Sequence, residues 1–449
     1  MAVPLTGRKF PARRSGRRSK TAVAGVLAAT LVALSAAAAC GPDSEESSDG
    51  TVTLTMTAWG GDVDKQTYEQ RLAMAHKKYP NIRVKLQMSP GGQDYSQKIS
   101  TAIAGGKGPD ILELAEHIPA FASKHQIRPL DDYIKTSGLD LASQFGETTA
   151  KIFAYEGSQY ALPDRSGAMV LYYNKKMFDE AGVEYPTADW SWDDLLAAAK
   201  KLTIRENGEV KQWGFATISW WPYWMSFMYQ NGGRVLDENG KPVINSPENV
   251  EAMQWFNDLA WKHKVSPTPR DWANYGEGVG PDQLFAQGKL AMEITGFWNI
   301  AAANSVEGLD WDIAPLWHGK EPATSAFFNG LAISTTSEHP DEAWKIIEFM
   351  ASEEGQRPII DNAEDAPANL QVQQSDAFLK PKWATREVNM GAFADSSEAI
   401  FVPPLTPQWN EMIEVCTENI DLMMNNKVTP EEALATIQER LEQIMSQGD

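Results

Sequence analysis

From residue 51 the chain reads TVTLTMTAW, with Val52, Leu54 and Met56 alternating against threonines. A period of two with β-branched residues predicts a strand, ended by Trp59-Gly60-Gly61. The stretch YEQRLAMAHKKY that follows has helical spacing and stops at Pro80. IRVKLQM, 82–88, predicts a second strand; YSQKISTAIAGG, 95–106, a helix with a glycine stop; PDILELA, 109–115, a third strand. This β-α-β-α-β order predicts an α/β fold on a doubly wound sheet. Further along, Ser191 and Asp194 form a capping box at the start of WDDLLAAAKKL. DEAWKIIEFMAS, 341–352, reads as an amphipathic helix. So does PEEALATIQERLEQIM, 430–445, with Ala433, Leu434, Ile437, Leu441 and Ile444 on one face.

One segment breaks the alternation of apolar and polar. SWWPYWMSFMY, 219–229, has six aromatic residues in eleven. Phe227 and Met228 fall on a helix leading to Asn231-Gly232-Gly233, where packing is expected. Trp220, Trp221, Tyr223 and Trp224 fall in a loop-like stretch interrupted by Pro222, directly after the strand-like WGFAT. Four large rings at one strand-to-helix junction are hard to bury together, so the sequence predicts a surface that holds a flat, half-apolar ligand. A membrane segment is excluded by length and by the absence of flanking charge.

The N-terminus reads as an address. Every ionisable residue of the first 39 is basic (seven in all), and 21–39 carries no charge. Small residues then precede Cys40-Gly41. Basic, then apolar, then small is the pattern of a signal peptide, here 1–39. The alternative is a permanent membrane anchor, against which stands the run's weakly apolar alanine content. The arrangement resembles a bacterial lipoprotein signal, whose cysteine becomes the lipidated first residue. Ala37, where such signals usually have leucine, is a departure. Residues 40–50 then form a lipid-anchored, polar tether. Arg17 and Arg18 leave the Sec and Tat export routes both open.

Composition narrows the function. The 449 residues carry a formal net charge of −20; without the seven leader cations the remainder is at −27. So acidic a body repels nucleic acid and anionic membrane surface. Two cysteines support no disulfide framework, and Cys416, in EMIEVCTENI, is expected to be a small buried hydrophobe. The six histidines lie far apart, so no metal site is expected. No phosphate-binding glycine loop or G-x-S-x-G elbow occurs, and no cofactor is expected. Carboxylates are abundant enough that an acid/base pair stays open.

Several blocks in order carry a resemblance: TMTAWGG, YPNIRVKL, GPDIL, ALPDRSGAMVLYYNKKMFDEAG at 161–182, LFAQGKLAMEITGFW at 284–298 and NGLAISTTSEHPDEAWKIIEFMAS at 329–352. Over about residues 51–445 the chain resembles the sugar-binding members of the bacterial extracellular solute-binding proteins, the group that includes maltose-binding protein. The resemblance implies two doubly wound α/β lobes, of the type II periplasmic-binding-protein kind, joined by crossings near 165–168, 328–331 and 370–376. One lobe would comprise 51–164 and 332–372, the other 165–331 and 373–449. It implies a non-catalytic monomer that closes on a di- or oligosaccharide and delivers it to an ABC transporter permease.

By that resemblance, Trp59 and Gly61 lie at the cleft edge, and Glu116 and His117 stand where polar sugar contacts occur. Asp164 and Arg165 lie at the first crossing. Trp220, Trp221, Tyr223 and Trp224 present aromatics to the sugar, and Trp298 and Trp409 match stacking rings. Asp110 is expected to orient a turn. Two other readings stay open: a solute-binding protein for a non-sugar, and a secreted glycoside hydrolase.

Overall fold

The computed structural model describes residues 50–89 and 93–446. Cys40, the leader and most of the tether lie outside the described residues. Among those described, no helix is long and apolar enough to cross a membrane.

The first lobe is organised by a five-stranded sheet. Its strands are β1 (Val52–Trp59), β2 (Ile82–Ser89), β3 (Ile111–Leu114), β4 (Ala161–Ala168) and, from far along the chain, β8 (Ala326–Ile333). The order is β2-β1-β3-β8-β4. β1 runs parallel to β2 and β3, and β8 antiparallel to β3 and β4. Helices α1 (Asp62–Lys78) and α2 (Gln93–Ala104) make the two parallel connections. One face, with Leu54, Met56 and Ala58, packs on Tyr68 of α1 and on Ala343, Ile347 and Met350 of α6 (Pro340–Ala351). The other, with Leu112 and Leu114, packs on Ile99 and Ile103 of α2. Both faces are thus covered, as parallel strands require. Asp110, expected to orient a turn, instead ties β1 to the segment after β8: its carboxylate accepts from Thr55 N and Oγ1 at 2.8 and 2.9 Å and from Ser337 Oγ at 2.6 Å.

The second lobe has a smaller sheet of β5 (Val170–Asn174), β6 (Met292–Thr295) and β7 (Trp311–Ala314), ordered β6-β5-β7 with both pairings antiparallel. Around it lie α3 (Trp192–Leu202), α4 (Trp221–Gln230), α5 (Pro247–Trp261), α8 (Trp409–Met424) and α9 (Pro430–Ser446). Ser191 caps α3 in the expected box with Asp194, and Cys416 is buried in α8.

The chain leaves the first sheet at Met169 and returns between Ala314 and Ala326. Both passages lie outside the expected 165–168 and 328–331, which belong to β4 and β8. A third segment follows α7 (Glu353–Asp361): Ser166 N bonds to Ala366 O and Ala368 N to Asp164 O, at 3.0 and 3.1 Å.

Two local expectations are corrected. WGFAT is not a strand; Trp213 makes an isolated bridge to Leu290 and 215–218 run without a ladder. The aromatic stretch is not a loop but the start of α4. Pro222 sits in its first turn, where the missing N–H would have had no helical acceptor and the ring's fixed φ suits the helix.

Candidate functional site

A cavity of about 540 Å³ lies between the lobes. From the first lobe come Trp59 at the end of β1, Asp64 in the first turn of α1, Tyr95 of α2, and Glu116 and His117 just after β3. From the second come Trp220 and Trp221 at the start of α4, Trp298 in the turn after β6, and Trp409 and Asn410 opening α8. The strands that join the lobes supply Arg165 from β4 and Phe327 and Asn329 from β8, with Asp365 from the third crossing.

The backbone explains several of these placements. Gly60 has φ +130°, and a Cβ there would overlap the Asp64 carboxyl, so β1 turns sharply into α1. Gly61 caps that helix, its N–H donating to Asp64 Oδ2 at 2.8 Å. At Gly296 a Cβ would occupy the space of the Trp298 ring, so the indole folds back over its own chain.

The second-lobe rings gather around Phe327. Trp220 stacks on it with centroids 5.2 Å apart and an interplanar angle of 21°. Trp298 meets it edge-on at 5.1 Å and Trp221 is tilted at 5.4 Å. Trp409 in turn meets Trp221 edge-on at 5.5 Å. Trp220 remains 38% exposed, its surface available to a ligand. On the first-lobe wall, Trp59 and Tyr95 make an edge-on pair at 5.0 Å. The Tyr95 hydroxyl donates to the carbonyls of Thr57 and Glu113 at 3.1 and 3.0 Å, which fixes its ring.

The polar part centres on Arg165, which is 3% exposed. Its Nη1 donates to Asp64 Oδ1 at 3.1 Å and to Glu364 Oε1 at 2.9 Å, and its Nη2 pairs with Glu113 Oε1. With the Asn329 amide turned so that its oxygen faces the guanidinium, it accepts from Nη2 and Nε at 3.2 and 3.3 Å. The other Glu113 oxygen accepts from Trp59 N–H at 3.1 Å, so one carboxylate ties guanidinium to cleft edge. Burial pushes Glu364 up to about 8, against the pull of Arg165 and Arg71. Its other oxygen, Oε2, is buried without a hydrogen-bond partner. Burial likewise raises Asp365 to about 6, with Arg165 opposing, and raises Glu116, with His117 opposing. Across the cleft, His117 Nε2 meets Asn410 Oδ1 at 3.0 Å.

Of the residues expected at the site, Trp59, Glu116, His117 and Arg165 line the cavity, as do Trp220, Trp221, Trp298 and Trp409. Four do not. Gly61 is a helix cap beside the cavity. Tyr223 is 1% exposed, its hydroxyl donating to Ile294 O at 2.6 Å. Trp224 is fully buried, with Nε1 donating to Ser219 O at 3.0 Å. Both turn inward because α4 is packed within the second-lobe core, with all ten of its residues buried. Asp164 is the extra residue of a β-bulge: Asn329 pairs with Arg165 and Gly330 with Pro163. Its carboxylate turns into the first-lobe core, onto the buried Arg71 and the Tyr68 hydroxyl. Phe327, Asn329, Tyr95, Asp64 and Asp365 were not foreseen. For Phe327 and Asn329 the signal was there: they alternate along AFFNGLAI on the face opposite Phe328.

Known proteins share this fold. A putative binding protein of Brucella abortus is 23% identical over 391 residues, 86% of this chain and 91% of its own length. An arabinooligosaccharide-binding protein of Bacillus subtilis is 24% identical, over 72% of this chain and 74% of its own. An ABC substrate-binding protein of Listeria monocytogenes, solved with cycloalternan, superposes with a TM-score of 0.79 at 30% identity, covering 88% of this chain and 99% of that one. The family model for bacterial extracellular solute-binding proteins matches residues 60–357, more than half of the sequence, and the chain belongs to that family.

Proposed function

We propose that the protein is the extracytoplasmic substrate-binding component of an ABC-type carbohydrate importer and that it captures a di- or oligosaccharide between its lobes. One observation carries the reading: rings on both walls face a cavity edged with carboxylates and carboxamides. A sugar ring has apolar C–H faces and a rim of hydroxyls. Trp220 and Trp298 with Phe327 on one side, and Trp59 with Tyr95 on the other, offer flat apolar faces with little side-chain entropy to lose. Asp64, Glu116, Asn329, Asp365 and Asn410 offer acceptors and donors to the rim. The volume falls within the roughly 300–1,000 Å³ common for small-ligand sites. Rings on two walls suit more than one pyranose.

The guanidinium on the lining is already occupied by carboxylates, which disfavours a phosphate ligand. The protein binds its sugar without changing it, closes as a monomer by moving one lobe on the other, and passes the sugar to the membrane permease. Cys40 carries the lipid that holds the body to the outer face of the cell membrane, with 41–50 as tether.

The saccharides named for the relatives, arabino-oligosaccharides and cycloalternan, make the first panel for a thermal-unfolding screen. A true ligand at 100 times its Kd adds about 2.7 kcal/mol. Stabilisation by a phosphate ester or peptide and by no saccharide would overturn the proposal. Chromatography of the incubated sugar separates binding from hydrolysis, since a binder returns it whole.

A further inference from the structure

Aromatic side chains and carboxyl groups dominate the lining, and positive charge is nearly absent from it. Asp64 on the lining and Glu113 behind it answer the charge of Arg165. Asp365 and Glu116, also on the lining, have no basic side chain within 4.0 Å among the described residues. Asp365 faces Arg165 together with two further carboxylates, Asp64 and Asp164; Glu116 faces His117. Asp365 Oδ1 accepts from Ala366 N–H at 2.7 Å, which orients the group without neutralising it.

Closing this cleft on a neutral ligand would strip water from two carboxylates and return no charge. Desolvating an unpaired carboxylate is costly, and the group escapes by taking up a proton. A cationic ligand removes that cost, and indole faces within about 6 Å add their own attraction for it.

We propose that the saccharide bound here carries a protonated amine, an amino sugar unit whose ammonium is received by a lining carboxylate, Asp365 or Glu116, while its ring faces lie on the indoles. The inference rests on the saccharide reading and adds a charge to it. It also fixes the direction of pH dependence. A cation is held more tightly as Asp365 ionises, at about pH 6. A neutral sugar held by protonated carboxyls would be held more weakly over the same range.

The test is titration calorimetry on the full protein with matched sets of mono- and disaccharides, in α and β linkage. Each set has an amine, an N-acetyl and a hydroxyl form at the same carbon. The expected result is at least 10-fold tighter binding of an amine form than of its two counterparts, strengthening from pH 5 to 7. In Asp365→Asn or in Glu116→Gln, each checked for folding by its melting temperature, that preference falls towards unity; a preference kept in both variants overturns the inference. Neutral forms binding as tightly as or more tightly than their amine counterparts overturns this inference and leaves the saccharide reading standing. No binding by any member, with a non-saccharide stabilising the protein, removes both.

Discussion

On the first-lobe side of the cleft the polar groups are held by one another; on the second-lobe side the rings are held by a hydrophobic core. Arg165 is surrounded by Glu113, Asp64, Glu364 and Asn329, and three of these have other duties: Asp64 caps α1, Glu113 fixes Trp59, and Asn329 pairs β8 to β4. Trp220, Trp221 and Trp298 rest on Phe327 and the large second-lobe core. A charge removed from the first wall leaves others buried and unpaired, so the fold bears the damage. A ring removed from the second leaves a core that stands without it, so the ligand bears the loss. Arg165 was expected to touch sugar; its fuller role is to fasten β4, β8 and the third crossing at the base of the cleft.

The largest effect should come from Arg165→Met. It leaves Glu113 buried with no cation, a change that typically costs about 3–5 kcal/mol. Urea denaturation measures it, and a variant as stable as its parent would show that the network is not needed. Trp298→Ala is the counterpart on the other wall. Stability should stay near the parent's, while affinity for the saccharide falls by about 2 kcal/mol, roughly 30-fold. Unchanged affinity in calorimetry would take Trp298 out of the site.

The sequence made the two walls unequally legible. The ends of β1 and β3 could be found because both runs stop at glycine or polar residues; that Trp59, Glu116 and His117 at those ends belong to the cleft came from the family resemblance. At 220–224 the rings were visible but not their directions. Pro222 looks like a breaker in a linear reading and is harmless in a first helical turn, and the helix then sends Tyr223 and Trp224 inward. Asp164 and Arg165 are neighbours that a bulge sends to different partners, and a bulge leaves no local mark in the sequence. Arg71 is fully buried by residues 93 and more than 270 positions away. Glu364 and Asp365, in NAEDAP, carry no motif at all; the third crossing brings them to Arg165.

The charged wall should also respond to pH where the aromatic wall does not. Burial pushes the Glu364 carboxyl in the folded protein up to about 8, from its ordinary 4.5. Its folded pKa is raised, so its contribution to stability is fully present below about 4.5 and is lost as pH rises through 8. Parent and Glu364→Gln unfolded in urea at pH 5 and pH 8 should therefore differ in slope. The parent should lose more stability than the variant over that interval, on the order of 1 kcal/mol per pH unit. Parallel losses would mean that Glu364 stays ionised against Arg165. Trp298→Ala should share the parent's slope.

The smallest effect belongs to a polar contact between the walls, His117 Nε2 to Asn410 Oδ1. Neither residue is fully buried, and a hydrogen bond of this kind is worth about 0.5–1.5 kcal/mol. It forms only while the walls are close, so its loss should weaken ligand binding by a few fold, through closure, with melting temperature little changed. His117→Ala and Asn410→Ala should each show this. The double variant should be no weaker than the worse single one, because both remove the same bond. Fully additive losses would instead mean that each side chain reaches the sugar independently, and the two walls would then be joined through the ligand alone.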